Sequence, residues 1–304
     1  MSYIRMRAAE AFQAIDTEEK ARDWFWRHRF EGKAFICPQC GEEGSFWQHT
    51  ATPEIRECSV CRCVVRLRAG GLLRDSKLPL LTWIGGLMLM MQDKRGVSAL
   101  TLQRHLKLGS YRTAWLLGHK IRTALGKRDE AYRLSGVVEL DGATIGSRRA
   151  GNQAPVLVAI ESRTYTDRKG KTRPKAGFAK VTLAPESTEA AQTFVEHALQ
   201  PGTSVNTDGS PALRGIKGLD ADYRVMGGDT AQLEAWLPHV FRFLENAKTW
   251  LAGTFHGVKA KYLGRYLAEY TYRFNRRHDQ NALFHRALNA CCLAAPITRE
   301  TLCA

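Results

Sequence analysis

At 304 residues, with 45 Lys and Arg against 30 Asp and Glu, the chain carries a net charge of +15. A surplus of that size favours a polyanionic partner, either nucleic acid or an anionic membrane. Spanning a membrane is excluded for the longest apolar stretch, Leu78–Met91, which is shorter than the about 20 residues a bilayer requires and contains Pro79, Gly85 and Gly86.

In chain order, the N-terminal segment has Arg5 and Arg7 but no apolar run followed by a cleavage site, so a cytoplasmic protein is expected. Residues 6–30 read as a helix ending in Trp24, Phe25, Trp26, Arg27, His28 and Arg29. A cysteine module follows from Phe35 to Leu67, then a helical region from Leu78 to Leu125, closed by Gly126 and the charged KRDE stretch. Beyond it the hydrophobic period changes from 3.6 to 2. Short apolar runs at 136–141, 155–161, 178–184, 203–208 and 222–227 predict strands, with helices at Thr188–Leu199 and Leu233–Leu251. The pattern predicts an α/β fold, a mixed sheet flanked by helices. A last helix over Lys259–Phe274 places Tyr262, Tyr266, Tyr270 and Phe274 four residues apart. The segment Arg163–Lys180 reads as an exposed basic hairpin able to touch a DNA backbone. Three domains are expected, over residues 1–70, 71–130 and 131–304.

Of eight cysteines, Cys37 and Cys40, then Cys58 and Cys61, form two C-x-x-C pairs separated by 17 residues. Two tight turns can present four thiolates to one zinc ion, and a site filled by sulfur has no vacancy for reactive water, so its role is structural. Cys63, Cys291, Cys292 and Cys303 have no ligand spacing. Arg56, Arg62, Arg66 and Arg68 surround the module and are candidates for phosphate contact.

Ser98 and Ser110 are good N-caps. They predict a helix over Ser98–Leu106, a turn at Lys107–Gly109 and a second helix from Ser110. Tyr111, Arg112 and Thr113 then lie at the exposed start of a recognition helix, with Lys120 further along and Arg112, His119, Lys120 and Arg122 forming a basic cluster.

Asp141 closes the run GVVELD and Asp208 closes TSVNTD. Two such aspartates on adjacent strand ends repel unless cations bridge them, and oxygen ligands suit Mg²⁺ or Mn²⁺. A third ligand is sought in LPHVFRFLENAKTWL, where Glu245 is the acidic candidate and Asn246 its neighbour; Glu234 and Asp229 are in reserve.

The series CPQCG…CSVC, GVSALTLQRHLKLGSYRTAW, VVELDGATIG, NTDGS, KTWLAGTFHGV and YLAEYTYRFNRR resembles the zinc-ribbon insertion-sequence transposases with a DDE-type catalytic domain, over residues 15–280. The resemblance implies an RNase H-like fold, with Asp141 and Asp208 in the first two acidic positions. Gly142 follows Asp141 where relatives carry Glu, and Phe241 stands where relatives often carry His, which leaves the third position between Glu245 and Asn246. It further implies Mg²⁺-dependent cleavage and strand transfer on double-stranded DNA by a homo-oligomer, with Lys248, His256 and Arg276 near the DNA. The alternative it leaves is a DNA-binding regulator with an inactive nuclease domain.

Overall fold

The computed structural model describes residues 14–30, 32–146, 151–218, 220–223 and 230–303. The described residues divide into two compact units: residues 1–128 with 278–304, and residues 129–277. None of the described helices is long and apolar enough to cross a membrane.

The first unit begins with α1 (Glu18–Arg29), capped by Thr17, whose hydroxyl accepts from the Lys20 N–H; the helix buries Trp24, Phe25 and Trp26. The helix read over residues 6–30 is interrupted at residues 15–17, where this cap sits; residues 1–13 lie outside the described residues. Three short strands, β1 (Phe46–Gln48), β2 (Ile55–Cys58) and β3 (Val64–Arg66), form an antiparallel sheet in that order. Next comes α2 (Leu80–Gln92), apolar nearly all round, with its centre buried inside the unit. Its N-cap is Pro79, whose ring has no hydrogen-bond acceptor, and the Glu18 carboxylate takes that role by accepting from the N–H groups of Leu80 and Leu81 at 2.5 and 3.0 Å. Gly85 and Gly86 let neighbours come close: a β-carbon at either would meet Leu106 or Leu117 at 2.9 Å.

Helix α3 (Ala99–His105), a turn with Lys107 at φ 50°, and α4 (Tyr111–Glu130) follow. Ser98 and Ser110 accept from the N–H groups of Thr101 and Thr113, as their N-cap chemistry requires. Helix α4 continues through Gly126 to Glu130, because one glycine costs a helix only about 1 kcal/mol. The last helices, α10 (Gln280–Leu293) and α11 (Arg299–Cys303), belong to this unit. Within it α10 packs on α1 and α2, with His285 stacked on Trp24 at 5.4 Å.

The second unit is built on β4 (Val137–Ile145), β5 (Ala154–Thr166), β6 (Thr172–Leu183), β7 (Ser204–Thr207) and β8 (Asp220–Tyr223). They lie in the order β6-β5-β4-β7-β8. Strands β4, β5 and β6 are antiparallel neighbours, whereas β7 and β8 run parallel to β4. Strand alternation sorts the core into two faces. Val138, Leu140, Leu157, Ala159 and Val205 meet α5 (Thr188–Ala198) on one face. Val156, Val158, Ile160 and Ala179 meet α8 (Pro238–Thr254) and α9 (Ala260–Asn275) on the other. Two short helices, α6 (Pro211–Arg214) and α7 (Thr230–Trp236), lie between β7 and α8. The helix read from Leu233 to Leu251 is therefore two, broken at Leu237 before Pro238, which suits a first helical position. The aromatic ladder of α9 is core: Tyr266 meets Phe255, Tyr270 meets Trp250, and Tyr270 and Phe274 both meet Phe243.

Candidate metal centre and carboxylate pair

The two cysteine turns repeat one local design. The N–H of Gly41 donates to the Cys37 carbonyl at 3.0 Å, and that of Arg62 to the Cys58 carbonyl at 3.1 Å. Each turn then closes with the first cysteine's N–H bonded to a carbonyl five residues on, Glu42 or Cys63. Gly41 and Arg62 both take positive φ, 76° and 63°; glycine does so freely and Arg62 with strain. The turns bring Cys37 Sγ to 3.4 Å from Cys61 Sγ and Cys40 Sγ to 3.7 Å from Cys58 Sγ. All four ligand atoms lie within 4.8 Å of one another. A tetrahedral ion with Zn–S bonds of about 2.3 Å separates its sulfurs by about 3.8 Å, so the four thiols fit a zinc ion. Burial pushes the Cys37 thiol up, but N–H groups of Cys40 and Gln39 outweigh it and bring it down to about 6.

Around this centre the arginines divide. Arg56 is buried, its guanidinium 4.5 and 4.3 Å from the rings of Trp26 and Phe46 and bonded to Gln48. Arg68 pairs with Glu54 at 2.6 Å. These two hold the module together in place of the expected phosphate contact. Arg62 and Arg66 stay exposed or nearly so.

Among the candidate DNA-contacting residues of the first unit, Tyr111 is 54% exposed and Arg112 is exposed at the start of α4. Lys120 is turned inward: its ammonium donates to the carbonyls of Leu72 and Arg74, and burial lowers its pKa. His119 and Arg122 are buried. The expected basic cluster is thus mostly internal.

In the second unit, the parallel register pairs Glu139 with Asn206 and Leu140 with Thr207, where β7 ends. One more step sets Asp208 beside Asp141. Val138 and Val205 point together toward α5, so alternation turns Glu139, Asp141 and Asp208 toward the α8–α9 face. Asp141 does not end its strand. β4 runs on to Ile145 against β5, since Gly142–Ile145 keeps its antiparallel partners after β7 has stopped. β7 ends at Thr207, beside Leu140 of β4.

Asp141 is 6% exposed and accepts from the Gly142 N–H at 2.8 Å. Burial, then the charges of Asp208 and Glu186, push its carboxyl up to about 7. Asp208 accepts from the Ser210 N–H at 2.9 Å and the Thr207 hydroxyl at 3.3 Å. The charges of Asp208 and Glu186 thus add to the cost of ionising the buried Asp141, the kind of repulsion that a bound cation relieves.

Three residues outside the sequence reading shape this region. Glu186 stands over Gly142: a β-carbon there would lie 2.2 Å from its Oε2. A larger residue at 142 would displace the exposed Glu186 side chain from this position. Glu139 is 1% exposed and accepts from the N–H groups of His239 and Val240 at 2.7 and 3.0 Å, which fastens the start of α8 to β4. A buried acid beside an apolar run was the available signal. Trp236 donates from Nε1 to the Thr207 carbonyl at 3.0 Å, fixing the end of α7 beside β7.

Glu245 is exposed on α8, pairs with Lys248 at 2.9 Å, and is not among the charges acting on Asp141. Asn246 and His256 are exposed as well. Asp229 lies outside the described residues, and Glu234 is exposed on α7. Trp250 is core, against Phe255 and Tyr270. Arg276 is 7% exposed and its guanidinium bonds both carboxylate oxygens of Asp129, at 2.6 and 3.2 Å, so it is not free to meet DNA.

Residues 133–275 match the family profile described as the ISXO2-like transposase domain, which supports a transposase role. A search of curated proteins returns no match.

Proposed function

We propose that this chain is an insertion-sequence transposase that binds the ends of its element on double-stranded DNA and carries out strand cleavage and strand transfer. The carrying observation is the placement of Asp141 and Asp208 on neighbouring parallel strands, facing one side of the sheet where β7 ends. The sheet order, three antiparallel strands followed by two parallel to the first, suits an RNase H-like nuclease beginning near residue 131. Residues 1–70 and 71–130 form the DNA-binding front end, a zinc ribbon and a helix-turn-helix.

Asp141 and Asp208 would hold Mg²⁺ or Mn²⁺, which when bound activates the attacking oxygen and stabilises the leaving one. The protein supplies orientation. Ser210 and Thr207 hold the Asp208 carboxylate, Gly142 holds that of Asp141, and Glu139 and Trp236 keep α8 and α7 beside them. Water attacks the phosphodiester at the element's end, and the 3′-hydroxyl so released attacks target DNA. The third ligand is assigned to α8, to Glu245 or Asn246; recruiting Glu245 breaks its pair with Lys248. Tyr111 and Arg112 contact the DNA at the start of α4, and Lys248 and His256 contact it near the crevice. Joining two ends requires two copies of the chain.

Asp141→Ala and Asp208→Ala should each abolish Mg²⁺-dependent nicking of DNA carrying the element's ends while leaving end binding nearly intact. Equal loss of binding and nicking contradicts the assignment. One observation favours the second reading, a DNA-binding regulator with an inactive nuclease domain: the exposed, Lys248-paired state of Glu245. End binding without nicking by the unmodified chain selects that reading.

A further inference from the structure

The tip of the β5–β6 hairpin segregates its charge. Within residues 163–175 there are six cations, Arg163, Arg168, Lys169, Lys171, Arg173 and Lys175, against the single acid Asp167. All of this segment is exposed except Asp167, which is partly buried. Its carboxylate is used locally, bonding the N–H groups of Lys169 and Lys171 and the Arg173 guanidinium to close the turn. Arg163 bonds Glu161. Arg168, Lys169, Lys171 and Lys175 have no acidic partner among the described residues.

Cross-strand register sorts these side chains. Arg163 lies opposite Lys175 and Tyr165 opposite Arg173, while Thr164 lies opposite Pro174 and Thr166 opposite Thr172. Directly opposed residues, and residues two apart on a strand, share a face. One face therefore carries Arg163, Tyr165, Arg173 and Lys175, and the other Thr164, Thr166, Thr172 and Pro174. Contacts agree: the Lys175 ammonium is 6.0 Å from the Tyr165 ring, and the Thr166 and Thr172 hydroxyls are 3.5 Å apart. Opposing Arg163 with Lys175 destabilises a hairpin by itself, because like charges directly across a ladder repel. Lysines also guard edge strands against mispairing. Guarding alone, however, is served by charge on either face and does not call for three cations gathered with an exposed tyrosine on one face.

We propose that the Arg163–Tyr165–Arg173–Lys175 face, with Lys171 at its tip, is a binding surface for the sugar-phosphate backbone of duplex DNA. The need for a polyanion follows from the hairpin itself; the choice of duplex DNA rests on the transposase reading above. Contacts of this kind position the protein and read no sequence.

The test compares the full chain with a Lys171→Gln, Lys175→Gln variant for binding to duplex DNA of arbitrary sequence as salt is raised. The control, Thr164→Gln with Thr172→Gln, alters the opposite face. Removing two phosphate contacts lowers the slope of log affinity against log salt by about 2, so the variant's affinity falls about tenfold less than the unmodified chain's between about 50 and 200 mM salt. The control should keep the original slope. An unchanged slope in the lysine variant overturns the proposal, as does an equal change in the control. Loss confined to anionic vesicles or to single-stranded RNA also overturns it. Absence of Mg²⁺-dependent nicking with a reduced slope defeats the transposase reading and leaves the hairpin surface standing; intact nicking with an unchanged slope does the reverse.

Discussion

Replacing Asp141 with Asn should stabilise the metal-free protein, and more at alkaline than at acid pH. The carboxyl is raised from 3.8 to about 7 in the folded state, chiefly by burial and then by Asp208 and Glu186. Between those two values the native state holds a proton that the unfolded chain has released, so stability falls as pH rises through the window. The full gap corresponds to an upper limit of about 4 kcal/mol, present above pH about 7. At pH 5 the unfolded aspartate is already mostly ionised, and about 1.5 kcal/mol of the penalty applies; the remaining about 2.5 kcal/mol develops between pH 5 and pH 8. Asn keeps the shape and the bond from the Gly142 N–H but carries no charge. Urea denaturation of both proteins in chelator, at the two pH values, reads the difference directly. Mg²⁺ should then stabilise the unmodified chain at pH 8 and leave the Asn variant nearly unaffected. A stability difference that is the same at both pH values, or an Asn variant less stable at pH 8, refutes the reasoning.

Cys37→Ser should reduce bound zinc from one ion per chain to none, measured by metal analysis after gel filtration, and expose the ribbon to proteolysis, because three thiols leave the tetrahedral site open. Glu139→Ala leaves the buried N–H groups of His239 and Val240 without an acceptor and should cost about 2–3 kcal/mol by urea denaturation; a change below about 0.5 kcal/mol contradicts the anchoring role. Arg276→Ala leaves the Asp129 carboxylate with the Asn275 amide but without its guanidinium and should cost about 3 kcal/mol while leaving the salt dependence of DNA binding unchanged; a shallower salt slope would mean that Arg276 does meet phosphate.

The parts of the fold legible in the sequence are those set by local chemistry. The two C-x-x-C turns, the N-caps at Ser98 and Ser110 and the apolar runs leading to Asp141 and Asp208 all depend on a few adjacent residues. Other features depend on partners distant in the chain. Gly142 reads as a strand end, yet β5 keeps β4 paired to Ile145, and the glycine instead makes room for Glu186. The return of α10 and α11 to the first unit has no sequence marker. Charge was the least reliable guide. Arg56, Lys120, Arg122 and Arg276 add to the net +15, but each is held inside its own unit by carbonyls, rings or an acid. The hairpin lysines Lys169, Lys171 and Lys175, with the same formal charge, face solvent and have no acidic partner among the described residues.

Diffraction at the manganese absorption edge, from crystals of the full chain soaked in Mn²⁺, locates bound cations without reference to any activity. An anomalous peak within about 2–2.6 Å of carboxylate oxygens from both Asp141 and Asp208 is the expected result. A peak elsewhere, with the two aspartates bound to no common ion, contradicts the account.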